Sequence, residues 1–226
     1  MIEIIPSINC PYKDFECVRV KADAVKNFAN FVQVDVADGK FTHGKSWGEV
    51  GRWKELNTLC GLEVHLMVEQ PERYIAEWLA AGVKRIIVHY ESICEKEYRV
   101  LSADPDELFA DMIGQCEDAG SELALAINAE TTLKRVGNYL RLFSSFLLMA
   151  QAYPGPAGQP FLPLTLPKIS ELRENFPDAR IEVDGGMNGE TARLAARAGA
   201  NALVVGTYLF ASPDIEKTYN ELRNLA

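Results

Sequence analysis

Residues Ile181–Phe210 read IEVDGGMNGETARLAARAGANALVVGTYLF, a complete strand, helix and strand unit with polar chemistry at both strand ends. Ile181–Val183 is a short apolar run that stops in Asp184, Gly185 and Gly186, and the helix after it carries Ala192, Ala195, Ala196 and Gly199 on its packing side. Ala202–Val205 then runs into Gly206 and Thr207. Where helices wrap parallel strands, the strand C-termini share one rim, and that rim is where such folds place their chemistry. Asp184 and the Gly206–Thr207 turn are therefore expected to face the same pocket. A carboxylate beside two turns of free backbone N–H groups suits a phosphorylated substrate handled by acid/base or metal chemistry.

The same alternation extends outward over the chain. Apolar runs at Ile2–Ile5, Phe31–Val36, Leu62–Leu66, Val83–Val88, Leu123–Ile127, Ser145–Met149, Ile181–Val183 and Ala202–Val205 read as eight strands. Helical patterns separate them, near Tyr12–Phe28, Gly48–Leu59, Pro71–Ala81, Pro105–Ala119, Thr131–Tyr139, Leu166–Asn175, Gly189–Ala198 and Pro213–Leu225. Asp104 before Pro105 and Gln70 before Pro71 fit helix starts, and Gly82, Gly120 and Gly199 sit where helices end. Eight strand and helix pairs in 226 residues fit an α/β fold, a single (β/α)8 TIM barrel spanning residues 1–226 as one domain. A doubly wound open sheet is the alternative.

Composition narrows the function. With 48% hydrophobic and 24% charged residues the chain reads as globular, and its net charge of -9 argues against nucleic acid or an anionic membrane as partner. An anionic small substrate must then be held by local amides and a metal rather than by the global field. The five cysteines, Cys10, Cys17, Cys60, Cys94 and Cys116, show no close metal-type pairing and read as reduced thiols in cytoplasm. Met1 leads directly into IEIIPS, with no basic region and no run of about 18 apolar residues, so a soluble, unexported protein is expected. Trp53 and Trp78, on helical outer faces, read as either core or interface, and a homo-oligomer is expected.

Side chains two apart on a strand share a face, which sorts the polar residues. Gln33 points with Asp35, and His65 with Met67; Ser7 closes the first strand, Asn128 the fifth and Met149 the sixth. Asp35 and Asp184 are the strongest pair, from strands on opposite sides of the barrel, able to remove a proton from one face of a carbon and return one to the other. His65, in LEVHLM, can bind a divalent metal through an imidazole nitrogen; alone it would read as structural, and the nearby carboxylates tip it to site. His89, in IIVHYES, reads as structural, and His43, in THGKSW, as a mobile surface residue or part of a lid. Tyr153–Phe161, YPGPAGQPF, joins Gly185–Gly186 and Gly206–Thr207 as a third late-strand loop whose amides can meet a phosphate. No P-loop, Rossmann fingerprint, serine triad or zinc-type cysteine cluster is present.

IIPSI, VDVADGKF, LEVHLMVEQPERYI, FLLMAQAYPGPAGQPFLP and the Ile181–Phe210 unit together resemble the ribulose-phosphate 3-epimerase family of metal-dependent, ribulose-phosphate binding barrels, from the first strand to the last. The resemblance implies that Asp35 and Asp184 are acid/base carboxylates that also bind the metal, that His65 is a metal ligand, and that Ser7 lies near the reaction centre. It further implies that Met67 and Met149 line the enediolate and that Gly155, Gly158, Gly185, Gly186, Gly206 and Thr207 surround the phosphate. The implied cofactor is a divalent zinc, iron, manganese or cobalt ion, and the implied partner a small phosphorylated ketose. The chain departs from the family at Gln33, where a second ligand histidine is expected, at Ala37, where a methionine is expected, and at Ala157, where the phosphate loop is otherwise glycine. An amide is a poorer donor to zinc-type ions than imidazole.

The implied reaction interconverts D-ribulose 5-phosphate and D-xylulose 5-phosphate. Two alternatives stand beside it: a sugar-phosphate binding protein that kept the barrel and lost catalysis when Gln33 arrived, and a hexulose-6-phosphate 3-epimerase using the room Ala37 leaves.

Overall fold

Strand formation follows the apolar runs closely. In a computed structural model that describes residues 2–56, 60–95, 98 and 104–225, the strands are β1 (Glu3–Ile8), β2 (Phe31–Ala37), β3 (Gly61–Met67), β4 (Arg85–His89), β5 (Glu122–Ile127), β6 (Ser145–Met149), β7 (Arg180–Asp184) and β8 (Ala202–Val205). Each pairs in parallel with the next, and β8 pairs with β1 from Glu3 opposite Ala202 to Pro6 opposite Val205, closing the ring. The open-sheet alternative is thereby set aside.

The helices α1 (Phe15–Val25), α2 (Ile75–Ala80), α3 (Tyr90–Cys94), α4 (Pro105–Asp118), α5 (Leu133–Val136), α6 (Thr165–Asn175), α7 (Gly189–Ala198), α8 (Thr207–Phe210) and α9 (Ile215–Arg223) alternate with the strands. Asp104 caps α4 through the Asp106 N–H, with Pro105 in the first turn, and Asn188 and Thr191 form a reciprocal capping box on α7. Gly82, Gly120 and Gly199 end helices in positive-φ conformations. The expected helix over Gly48–Leu59 is instead a 3-10 segment, Val50–Glu55, with residues 57–59 outside the described part. Its two buried side chains, Val50 and Trp53, are three apart, the repeat of a 3-10 helix. Similarly, Gly137 at φ 60 stops α5 and hands the chain to a 3-10 turn over Gly137–Leu142.

Alternation along the strands separates two cores. Outward residues such as Leu62, Val64 and Leu66 pack under the helices together with Trp53 and Trp78, which belong to this core and not to an outer interface. Inward residues form layers. Ile5, Ile87, Ala124, Leu147, Ala202 and Val204 make an apolar middle. Beneath it lies a charged base, where Arg85 meets Glu63 at 2.6 Å and Glu122 at 2.8 Å, and Arg180 meets Glu182 at 3.0 Å and also Glu3. Burial and the neighbouring Glu182 push the Glu63 carboxyl well above the usual carboxylate range, against the pull of Arg85 and Arg180.

The cysteines depart from expectation: Cys10 and Cys17 form a disulfide, the one disulfide among the described residues. The reason is local, since the chain turns back between the end of β1 and the first turn of α1 and brings the two Cα atoms to 5.9 Å. Among the described residues no helix is long and apolar enough to cross a membrane.

Candidate active site

Ring closure decides how the acids meet. Asp35 leaves β2 in register with His65 of β3, and Asp184 ends β7 in register with Met149 of β6. With β1 and β8 closing the ring, β2 and β7 stand three strand steps apart, one short of the full diameter, so the two acids come from nearly opposite sides. The carboxylates nevertheless converge. One ligand atom from each of Asp35, His65 and Asp184 lies within 4.8 Å of the others, with His65 Nδ1 3.4 Å from Asp35 Oδ1 and 3.6 Å from Asp184 Oδ2. Ser7 Oγ donates to Asp35 Oδ2 at 2.6 Å, and Gln33 Nε2 donates to Asp35 Oδ1 at 2.7 Å and more weakly to Asp184 Oδ2 at 3.4 Å.

The electrostatics follow from this crowding. Burial raises the Asp184 carboxyl to about 6, the His65 contact opposing that shift and the Asp35 charge adding to it. Burial disfavours charge on His65, yet Asp184 and Asp35 outweigh it and bring the imidazole to about 9. Two buried atoms here have no hydrogen-bond partner: His65 Nδ1 and Gln33 Oε1. Two carboxylates, an imidazole nitrogen whose proton an arriving cation would displace, and an amide oxygen that a half-turn of Gln33 would present make a donor set that fits a divalent cation.

His89, read from sequence as structural, is part of this assembly. Its ring stacks on that of His65 at 4.9 Å, with Nε2 to Nε2 2.8 Å apart, and its Nδ1 lies 3.3 Å from Glu91 Oε2. Glu91 Oε1 accepts from the Asn128 N–H at 2.9 Å. Although burial opposes its charge, bonds from His89, Thr131 and Asn128 hold the Glu91 carboxyl below the usual range, so it only accepts. The proton order then follows: Nδ1–H of His89 donates to Glu91, Nε2 of His89 accepts from Nε2–H of His65, and Nδ1 of His65 is left facing the aspartates. The signal was a histidine and a glutamate two apart at a strand end, V-H-Y-E, on the strand beside the one carrying His65.

Above the carboxylates opens a cavity of about 320 Å³. Ser7, Asp35, Met67 and Asp184 reach it, and the loops carrying Gly155, Gly158, Gly185, Gly186, Gly206 and Thr207 form its upper wall. Gln33, His65 and Met149 lie buried beneath. The glycines at 185 and 186 are required by close approach: at φ 118 and 64, a Cβ on Gly186 would stand 2.2 Å from the Phe161 nitrogen, and one on Gly185 would press on Gln151. They let the Tyr153–Phe161 loop, which Gln159 ties to Tyr153 and Pro156, lie against the β7 turn. Ala37 lines a separate cavity beside Asp38 and Ser46. His43 is apart from the carboxylates, its ring against Tyr153. Lys21, which sequence reading passed over, also lines the main cavity; it sits on a helix, where nothing in the strand pattern marks it.

The profile of the ribulose-phosphate 3 epimerase family matches residues 3–210. A ribulose-phosphate 3-epimerase of Bacillus subtilis is 32% identical over 232 residues, covering 99% of this chain and 99% of that protein. One from Candida glabrata is 31% identical over 216 residues, covering 88% and 80%. Among solved structures, a 3-hexulose-6-phosphate synthase superposes with a TM-score of 0.71 at 16% identity, covering 99% of both chains, a likeness of fold alone.

Proposed function

The chain belongs to the ribulose-phosphate 3-epimerase family, and from that premise we propose that it interconverts D-ribulose 5-phosphate and D-xylulose 5-phosphate with Asp35 and Asp184 as its acid/base pair. It is a ketose-phosphate 3-epimerase, an isomerase of carbohydrate metabolism placed in the pentose phosphate pathway. The observation that carries the assignment of residues is the convergence of two carboxylates on the unpartnered His65 Nδ1 at the floor of a cavity walled by glycine loops.

The ketose lies with its phosphate among the loops at Gly155–Gly158, Gly185–Gly186 and Gly206–Thr207, and with C2 and C3 over the floor. One aspartate takes the C3 proton; the other returns a proton from the opposite face, and the carbon inverts. Ser7 holds Asp35 in orientation through its 2.6 Å bond, and the buried Met67 and Met149 exclude water from the planar enediolate. Asp35, His65 and Asp184, with Gln33 Oε1 on a turned amide, would hold a divalent cation, which supplies polarisation of the C2 carbonyl and neutralises negative charge on the oxygens. The whole chain acts as one domain, since the two acids come from strands near its opposite ends.

The test is solvent exchange. Protein loaded with zinc, iron, manganese or cobalt is incubated with D-ribulose 5-phosphate in heavy water, and deuterium at C3 is followed by NMR. Wild type is expected to incorporate deuterium in both epimers, with Asp35→Asn and Asp184→Asn each slowed by about 10² to 10⁴. No exchange with any of the four metals, or exchange in Asp35→Asn at the wild-type rate, overturns the assignment.

A further inference from the structure

The main cavity belongs to a chain of net charge -9, yet one cation lines it. Among the described residues of its wall, Lys21 alone has a positive side chain. It lies in the second turn of α1, in the outer layer, and reaches inward over the end of β1. Its Nζ donates to the Asn9 carbonyl at 2.8 Å and stands 5.1 Å from the centroid of the Phe210 ring. Asn9 in turn donates through Nδ2 to the Gly155 carbonyl at 2.9 Å, and Phe210 closes the short helix that begins at Thr207. The ammonium thus sits where the end of β1, the Tyr153–Phe161 loop and the Gly206–Thr207 turn come together.

Its bonding is incomplete. An ammonium carries three N–H donors; one goes to Asn9, and Nζ makes no ion pair among the described residues. Burial pushes the amine below the usual lysine range, and the charge of Asp35 offsets this only in part. Withdrawing a cation from water without an anion beside it is costly, and the cost is recovered when an anion arrives. The reacting carbons are held lower, at the floor between Asp35 and Asp184, so the anion within reach at the rim is the other end of the substrate.

We infer that Lys21 is a substrate-binding residue whose ammonium pairs with the phosphate of the ketose phosphate, between the end of β1 and the Gly206–Thr207 turn. This rests on the ketose-phosphate reading above. It also resolves how an acidic protein draws in a dianion: the attraction is local, from one partly desolvated charge beside neutral amides.

Lys21→Met keeps the aliphatic stem against Phe210 and removes the charge; Lys21→Arg keeps a charge of different shape. Each is measured against wild type in three ways: steady-state turnover of D-ribulose 5-phosphate, competitive inhibition by inorganic phosphate, and calorimetric binding of inorganic phosphate without substrate. Lys21→Met is expected to raise KM by about ten- to hundredfold with a much smaller fall in kcat, and to weaken phosphate binding in parallel. Lys21→Arg is expected to recover most of both. Wild-type phosphate binding in Lys21→Met overturns the inference, and so does a loss confined to kcat, which would put the amine at the reacting carbons. The calorimetric arm needs no turnover. A wild type that binds phosphate but leaves the ketose phosphate unchanged would sink the epimerase reading alone, while a weakened Lys21→Met would still support the ion pair.

Discussion

His65 is held at Nε2 by His89 and turns Nδ1 toward the two aspartates, and the held side determines what the facing side can do. Replacing Glu91 by Gln offers His89 an amide that can donate as well as accept, so the proton order along the pair is no longer imposed. Zinc affinity, measured by competition with a chelator, is expected to fall by about 10- to 100-fold in Glu91→Gln. The converse change is Gln33→His, which sets an imidazole where the amide now donates to Asp35; it is expected to tighten zinc by at least about tenfold in the same assay. Asp35, Asp184 and His65 were legible because each ends or nearly ends an apolar run, where a polar residue has no packing reason to be. His89 ends such a run too, but its meaning depends on Glu91 and on a neighbour 24 positions away, which spacing along one strand does not display. Lys21 was invisible for a different reason: a lysine on an amphipathic helix has the appearance of a solvated face, and only the fold shows that its side chain climbs over the strand end.

At the level of single elements, β3, β4 and β7 carry the opposite of a hydrophobic core on the lower part of their inner faces. Glu63, Arg85, Arg180 and Glu182 lie within the ring, bonded to one another and to Glu3 and Glu122. Such a cluster tolerates wholesale replacement better than the loss of one member, because the remaining charges are then buried unpaired. Arg85→Met should therefore lower unfolding free energy by about 3 kcal/mol, read from urea denaturation. Adding Glu63→Leu to it should return part of that loss. Sequence reading found the strands and the longer helices because period-two and period-3.6 patterns are strong there. It marked Gly48–Leu59 and Thr131–Tyr139 as helical without showing that they wind wholly or partly as 3-10 helix, where Gly51 and Gly137 weaken the α-helix and buried residues recur every three positions.

Over the whole molecule, the parallel order, the closed ring and the placing of the two acids across it were readable from the alternation of strand and helix, because closure of eight strands sets β2 and β7 three steps apart. The disulfide was unreadable, because seven positions of separation say little until the loop between β1 and α1 is seen to fold back. Reducing it, or changing Cys10 and Cys17 to Ser, should cost about 2 kcal/mol of stability by thermal melting, with the double variant insensitive to dithiothreitol.

The seam of the barrel has one more effect. Asp35 stands one strand beyond β1 and Asp184 one strand before β8, so the first strand and the last, joined by four residue pairs, are the hinge pin between the two acids. Any breathing of that join parts the proton donor from the proton acceptor while most of the ring remains intact. Turnover should therefore fade in mild urea before ellipticity does, and the enzyme's own rate becomes a gauge of how tightly its ends are zipped.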